Sequence, residues 1–344
     1  MLGISVYFKT FDPDYVHQAA KNGIQFIFTS LHIPEEDFTD ITGRIKSLLA
    51  LCNQEGVMLV PDVSPVTFEK LGLESGDFAA LHQMGFQALR LDWGFNDFAL
   101  LSRLQPDFTL FLNASVLSKD YLDEAKAHGV DFAQVHAAHN FYPKLETGLA
   151  KARFAAINQN YADTPIKVLA FVPGDRLKRF PFYQGLPTLE AQRGQNPYVS
   201  AVELMHEFGV TDIAIGDSEA QLPTLANIHQ YQVDKTMTLP ILPEGAGKAL
   251  IGQTLTVRKD LPERMVRLGV PRKPDIPIGK TGERPLGTIS QDNLLGGRYS
   301  GEIQISKADL PFTRDANIIG YVHPEYVGLL KFIDGDTKLR FVEG

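Results

Sequence analysis

The feature that most restricts this chain is an eightfold recurrence through its first two thirds. A short apolar, β-branched or aromatic run is followed by a polar turn and then by a longer amphipathic segment. The runs fall at residues 4–8, 26–30, 57–63, 88–93, 109–114, 132–137, 168–172 and 213–216. They are apolar on both faces, the pattern of parallel strands covered by helices. Helical periods fill the gaps, among them 41–54, 119–128, 147–159 and 198–208. Gly23, Gly56, Gly85, Gly129 and Gly209 stand just before strands, where helices commonly end on a left-handed residue. Strand starts recur about every 30 residues, one βα unit each, and eight such units are the arithmetic of a (β/α)8 TIM barrel. A doubly wound open sheet is the competing arrangement, but no GxGxxG follows the first run.

Past residue 240 the texture changes. Pro240, Pro243, Gly245, Gly247, Pro271, Pro274, Pro277, Gly279 and Gly282 crowd the chain, and long helical periods stop. β-rich runs take over at 254–258, 288–290, 301–305, 317–322 and 338–342. The fold class is therefore α/β, with a barrel over residues 1–235 and a mostly β domain over 240–344, joined near 230–240.

Composition narrows the partners. With 44% hydrophobic residues in 344, a disordered chain is excluded. A formal net charge of -8 argues against a nucleic-acid binder, which needs surplus Lys and Arg. The single cysteine, Cys52, excludes an internal disulfide and a multi-cysteine metal site, and fits a core thiol in a reducing compartment. No run reaches the roughly 18 apolar residues of a membrane span. Strand-like sequence from Gly3 leaves no room for a basic leader, so a cytoplasmic protein is expected. A homo-oligomer is compatible with these features.

A barrel presents its reacting groups at the carboxyl ends of the strands. Here those ends are Lys9-Thr10, Thr29-Ser30-Leu31-His32, Asp62-Val63-Ser64, Asp92-Trp93, Asn113-Ala114-Ser115, His136 to Asn140, Pro173-Gly174-Asp175 and Gly216-Asp217-Ser218. Asp62, Asp92 and Asp217 would ring one cleft, with Glu146 on the loop after the sixth strand. Clustered carboxylates push one another's pKa values apart, which suits one as an acid and another as its ionised partner. Carboxylates paired across a sugar-sized gap are a common way to hydrolyse glycosides. Trp93, the only tryptophan, offers a flat platform beside Asp92. His32, Asn113, His139 and Asn140 offer hydrogen bonds to hydroxyls or phosphate.

Plainer roles stand beside these. A strand-end aspartate often caps the next helix, Trp93 could simply pack, and Glu146 could serve a first-turn helix dipole. His136 and His139, three apart on a strand, face opposite ways, so no metal site is expected. The long loop 174–197 carries Arg176, Lys178, Arg179 and Arg193, which could hold an anionic group or form a solvated charge run.

The run His139-Asn140-Phe141-Tyr142-Pro143-Lys144-Leu145-Glu146-Thr147-Gly148-Leu149 resembles a known family. So do Leu2-Gly3-Ile4-Ser5-Val6-Tyr7, Arg90-Leu91-Asp92-Trp93-Gly94-Phe95, Leu112-Asn113-Ala114-Ser115 and Tyr183-Gln184-Gly185-Leu186-Pro187-Thr188-Leu189-Glu190. Near the end, Asp292-Asn293 and Gly297-Arg298-Tyr299-Ser300-Gly301-Glu302-Ile303-Gln304-Ile305 match as well. Together they resemble the bacterial 6-phospho-N-acetylmuramidase (MupG-like) glycoside hydrolases, with Gln184 departing where an acid is usual.

The resemblance implies a TIM barrel followed by a small cyclophilin-like β-barrel. It further implies cytoplasmic hydrolysis of 6-phospho-N-acetylmuramic acid–N-acetylglucosamine in cell-wall recycling, without a cofactor. Asp92 is then expected as the ionised carboxylate and Glu146 as proton donor, with Asp62 and Asp217 orienting hydroxyls or tuning pKa. Trp93, His32, Asn113, His139, Asn140, Arg179, Glu190 and Arg193 are expected to bind substrate, the arginines at its phosphate. A carboxyl separation near ~5 Å would mean retention and roughly 6.5–9.5 Å inversion, while the 2-acetamido group could itself attack. Two other readings stay open: a pyridoxal-phosphate barrel enzyme using Lys9 as Schiff-base lysine, and a non-catalytic phosphosugar-binding protein.

Overall fold

The computed structural model describes residues 1–31, 41–92, 94–95 and 97–344. It divides into two compact units, Met1–His229 and Gln230–Gly344. In the first, β1 (Leu2–Ser5), β2 (Phe26–Ser30), β3 (Met58–Val63), β4 (Ala88–Leu91), β5 (Thr109–Asn113), β6 (Val135–Ala138), β7 (Lys167–Val172) and β8 (Asp212–Ile215) form a closed barrel in chain order. All its ladders are parallel, and β1 closes the ring by pairing with both β2 and β8.

Each of the eight apolar runs overlaps a strand, although β1 starts before the first run and ends at Ser5, and Phe8 opens a short 3-10 turn. The run at 132–137 is split, because Asp131 accepts from the Ala133 N–H and winds Phe132–Gln134 into a short 3-10 turn. Helix Pro197–Phe208 shows how the sequence sets an element's limits. Asn196 accepts from the Tyr198 and Val199 N–H groups, proline follows at the first position, and Gly209 ends the helix at φ 64.

Strand periodicity decides what reaches the mouth. Val60, Ala88 and Ala138 belong to a buried cluster with Phe26, Phe28, Phe111, Leu169, Phe171 and Ala214, so the barrel is packed rather than hollow. Counting on by two along each strand places Asp62, Arg90, Asp92 and Asn140 toward the same inner side, beyond the carboxyl end of that core. The register then sets Ser30 beside Asp62, and Asp62 beside Arg90.

The second unit is a curled sheet. Its strands are β9 (Thr236–Pro243), β10 (Thr254–Thr256), β11 (Met265–Arg267), β12 (Gly282–Arg284), β13 (Thr288–Asp292), β14 (Ile303–Ser306), β15 (Leu310–Thr313), β16 (Ala316–Val322) and β17 (Lys338–Glu343). Seven of them follow the order β10-β17-β9-β16-β13-β14-β11, and β12 pairs with β15. Residues 230–240, read from sequence as a junction, hold the end of helix Leu222–Asp234 and the start of β9. Pro240 lacks an N–H but keeps its carbonyl, which accepts from the His323 N–H at 2.9 Å. Among the described residues no helix is long and apolar enough to cross a membrane.

Candidate active site

At the carboxyl end of the barrel a cavity of about 230 Å³ is lined by Phe28, Asp62, Arg90, Asp92, His139, Asn140, Phe141, Tyr142 and Phe171. Arg90 organises it. Its side chain is 5% exposed, and Nη1 lies 2.5 Å from Asp62 Oδ1 and 3.4 Å from Asp92 Oδ1. Nη2 donates to Asn140 Oδ1 at 2.5 Å. Burial alone would weaken the guanidinium's hold on its proton, but the Asp62 and Asp92 carboxylates outweigh that and raise its pKa. With Asn140 Oδ1 fixed on Arg90, the amide's NH2 remains as a donor for other groups.

Aromatic rings form the apolar side. Phe28, Phe141 and Phe171 meet edge to face, with centroids 5.0–5.8 Å apart. Half-buried Tyr142 adds a polar tip, its phenol pKa raised by burial.

Two carboxylates fasten the loops around this cavity. Glu190 accepts from Arg193 Nε at 2.6 Å and Nη2 at 2.7 Å, and from the Glu146 and Gly148 N–H groups at 3.0 and 2.7 Å. Those bonds, the Arg193 guanidinium first, hold its pKa down at about 2. Arg193 also donates to the carbonyls of Gly185, Tyr142 and Lys144. The loop after β6 is thereby tied to the loop after β7. Asp217, fully buried, accepts from the N–H groups of Gly174 (2.8 Å), Arg179 (2.8 Å) and Leu186 (3.2 Å). The second loop passes so close to β8 that a Cβ on Gly216 would sit 2.0 Å from the Leu186 carbonyl oxygen.

Of the residues singled out from sequence, Asp62, Asp92 and Asn140 meet around Arg90. Glu146 lies on the Asn140–Tyr142 loop with its side chain exposed and its φ at 63. Its helix begins only at Lys151, so a first-turn dipole role does not apply to it.

Others turn elsewhere. The oxygens of Asp217 and Glu190 serve backbone amides and Arg193 rather than facing the cavity as free acids. Arg193, expected at a phosphate, has its donors committed to Glu190 and three carbonyls. Asn113 accepts from Ser115 N–H and Oγ–H and caps a short turn. The His139 ring follows strand alternation outward: Nε2 is 2.7 Å from Asn158 Oδ1, and the ring packs on Phe154 at 4.2 Å. Burial lowers its pKa to about 4. His136 points the other way, to Asp212 at 2.6 Å and the Phe111 ring. Lys9 is exposed, with Nζ 4.7 Å from the Phe180 ring centre, not in the dry pocket that activates a Schiff-base lysine. His32 and Trp93 lie outside the described residues.

Strand-end position alone does not single out Arg90 or the rings of Phe141 and Tyr142. The signal for Arg90 was present: one full charge inside an apolar strand needs buried partners.

A closed parallel barrel with carboxylates, a buried arginine and aromatic surface at its mouth is the makeup of a barrel glycosidase. Two family models agree: 6-phospho-N-acetylmuramidase, N-terminal, matches residues 2–230, and 6-phospho-N-acetylmuramidase, C-terminal, matches residues 240–342. The chain belongs to the 6-phospho-N-acetylmuramidase family and is a glycosidase. A conserved protein of unknown function from a locus in Enterococcus faecalis is 32% identical at TM-score 0.87, covering 100% of this chain and 96% of that one. An uncharacterized B. cereus protein is 25% identical at TM-score 0.79, covering 99% of each chain. No curated protein matches the chain.

Proposed function

We propose that the protein hydrolyses the glycosidic bond of 6-phospho-N-acetylmuramic acid–N-acetylglucosamine, in the cytoplasm, during recycling of cell wall. The observation that carries this reading is the Asp62–Arg90–Asp92 group at the barrel mouth. Asp92 acts as the ionised carboxylate at the anomeric carbon, and the adjacent positive charge of Arg90 favours that form. Asp62 holds Arg90 in place. Glu146, exposed on the loop whose first residues line the cavity, protonates the leaving oxygen. Asn140 donates to a sugar hydroxyl or acetamido group, and the Phe141 and Tyr142 rings support the apolar face of the sugar. Glu190, Arg193 and Asp217 keep the two loops in position. We read the C-terminal sheet as a cyclophilin-like fold.

The test is an assay of purified protein on the 6-phosphorylated muramyl disaccharide beside a phosphorylated glucoside. Release of N-acetylglucosamine from the first, much faster than cleavage of the second, is expected. Binding of both without cleavage of either would instead make the protein a phosphosugar-binding module.

A further inference from the structure

The loop between β7 and helix Pro197–Phe208 carries four cations, and three have partners inside the protein. Arg176 Nε lies 2.9 Å from Glu219. Lys178 Nζ donates to the Gly174 carbonyl and lies 3.6 Å from Asp217. Arg193 is held by Glu190 and three carbonyls. Arg179 differs: the residue is 4% exposed, yet its Nε and Nη2 have no hydrogen-bond partner among the described residues.

Those two nitrogens make up one edge of the guanidinium fork. In this same molecule that edge is how Arg193 takes both oxygens of Glu190, and how Arg267 takes both oxygens of Glu302, at 2.5 and 2.7 Å. Arg179 has ring faces beside it instead, with its Cζ 4.5 Å from the Tyr7 ring centre and 5.4 Å from that of Phe180. A buried cation gains something from such rings, but among the described residues they leave its Nε and Nη2 N–H groups without a hydrogen bond.

The group is also held still. The Arg179 N–H donates to Asp217 at 2.8 Å, and the Tyr7 hydroxyl donates to the Gly216 carbonyl at 2.7 Å. Phe141, which lines the cavity, packs on the Tyr7–Phe180–Leu186 cluster, so Arg179 adjoins the site already described. On the Phe180 ring the Lys9 ammonium brings a second positive charge, 4.7 Å from the centroid.

We propose that Arg179 is the specificity residue for a phosphate monoester on the substrate, its Nε–H and Nη2–H donating to two phosphate oxygens. The planar two-donor fork suits a phosphate, whose charge near −2 at neutral pH strengthens each such hydrogen bond. This inference rests on the hydrolase reading above.

The test compares wild type, Arg179→Ala, Arg179→Lys and Arg179→Met on the 6-phosphorylated disaccharide and on its unphosphorylated counterpart. Removing the fork should lower kcat/KM for the phosphorylated substrate about 10- to 100-fold, mainly through KM. The loss on the unphosphorylated substrate should be at least tenfold smaller, and lysine should recover only part of the difference. Arg179→Met keeps the apolar stem and removes buried N–H groups that have no hydrogen-bond partner among the described residues, so it should unfold no earlier than wild type. Equal losses on both substrates, or early unfolding of the Met variant, would overturn the assignment.

Calorimetry with inorganic phosphate separates this inference from the hydrolase reading. If wild type binds phosphate and Arg179→Met does not, the site stands even without any hydrolysis. If both bind alike, Arg179 has no phosphate role even in an active hydrolase.

Discussion

Arg90 Nη1 lies 2.5 Å from Asp62 Oδ1, in a pair whose side chains are 5% and 10% exposed. An ion pair this deep destabilises severely when only one member is removed, because the other charge stays buried without compensation. Arg90→Ala should therefore cost about 3–5 kcal/mol in denaturant unfolding. Arg90→Lys keeps the charge but loses the fork that reaches Asp62 and Asn140 together. It should fold, with kcat/KM reduced about tenfold or more for loss of a charged hydrogen bond. Wild-type stability in the alanine variant would show that the pair does not organise the mouth.

His139 gives a pH signature. Burial lowers its pKa to about 4 in the folded protein, against an ordinary 6.5. Between those values the unfolded chain takes up the proton and the folded one does not. Stability from this group is thus complete above pH 6.5 and falls as pH drops toward about 4. An NMR titration of the ring should place its midpoint near 4. A midpoint near 6.5 would mean that the ring reaches water.

Glu190 acts in a lower window. Its folded pKa of about 2, against 4.5, means that its contribution is present above pH 4.5 and is lost as pH falls toward about 2. Glu190→Gln should be less stable than wild type at neutral pH, with the gap closing below pH 4.5. Its side chain is 30% exposed, so solvent screening keeps the gap small. Thermal unfolding of both proteins across that range measures it, and a gap independent of pH would exclude the charged clamp.

Asp217→Asn replaces an acceptor of three N–H groups by an amide with one oxygen and its own donors. A cost of about 1–3 kcal/mol is expected for the amides left unsatisfied. Hydrogen exchange should quicken at Gly174, Arg179 and Leu186, the three donors, ahead of the barrel strands. Unchanged protection there would mean that the carboxylate does not hold the loop.

The barrel was legible because its signal repeats: eight apolar runs, each closed by polar residues, survive local errors such as the 3-10 turn at Phe132–Gln134. β9 was not legible, because Pro240 and Pro243 read as linker residues, while Pro240 keeps a carbonyl that still accepts within the sheet. At the site, strand-end position found Asp62, Asp92 and Asn140 but could not rank them against Asp217. All four sit at strand ends, and only the backbone amides converging on Asp217 mark it as a structural acid. The Glu190–Arg193 pair, three residues apart in a loop without helical period, left no trace in the pattern. Arg193 therefore looked as available to phosphate as Arg179.

The most direct measurement is kcat on the 6-phosphorylated muramyl disaccharide for Asp92→Asn and Glu146→Gln, each checked for wild-type-like unfolding. Loss of a positioned carboxylate or proton donor should lower kcat by about 10² or more in each. Turnover at the wild-type rate in both variants would contradict the roles given to these two side chains.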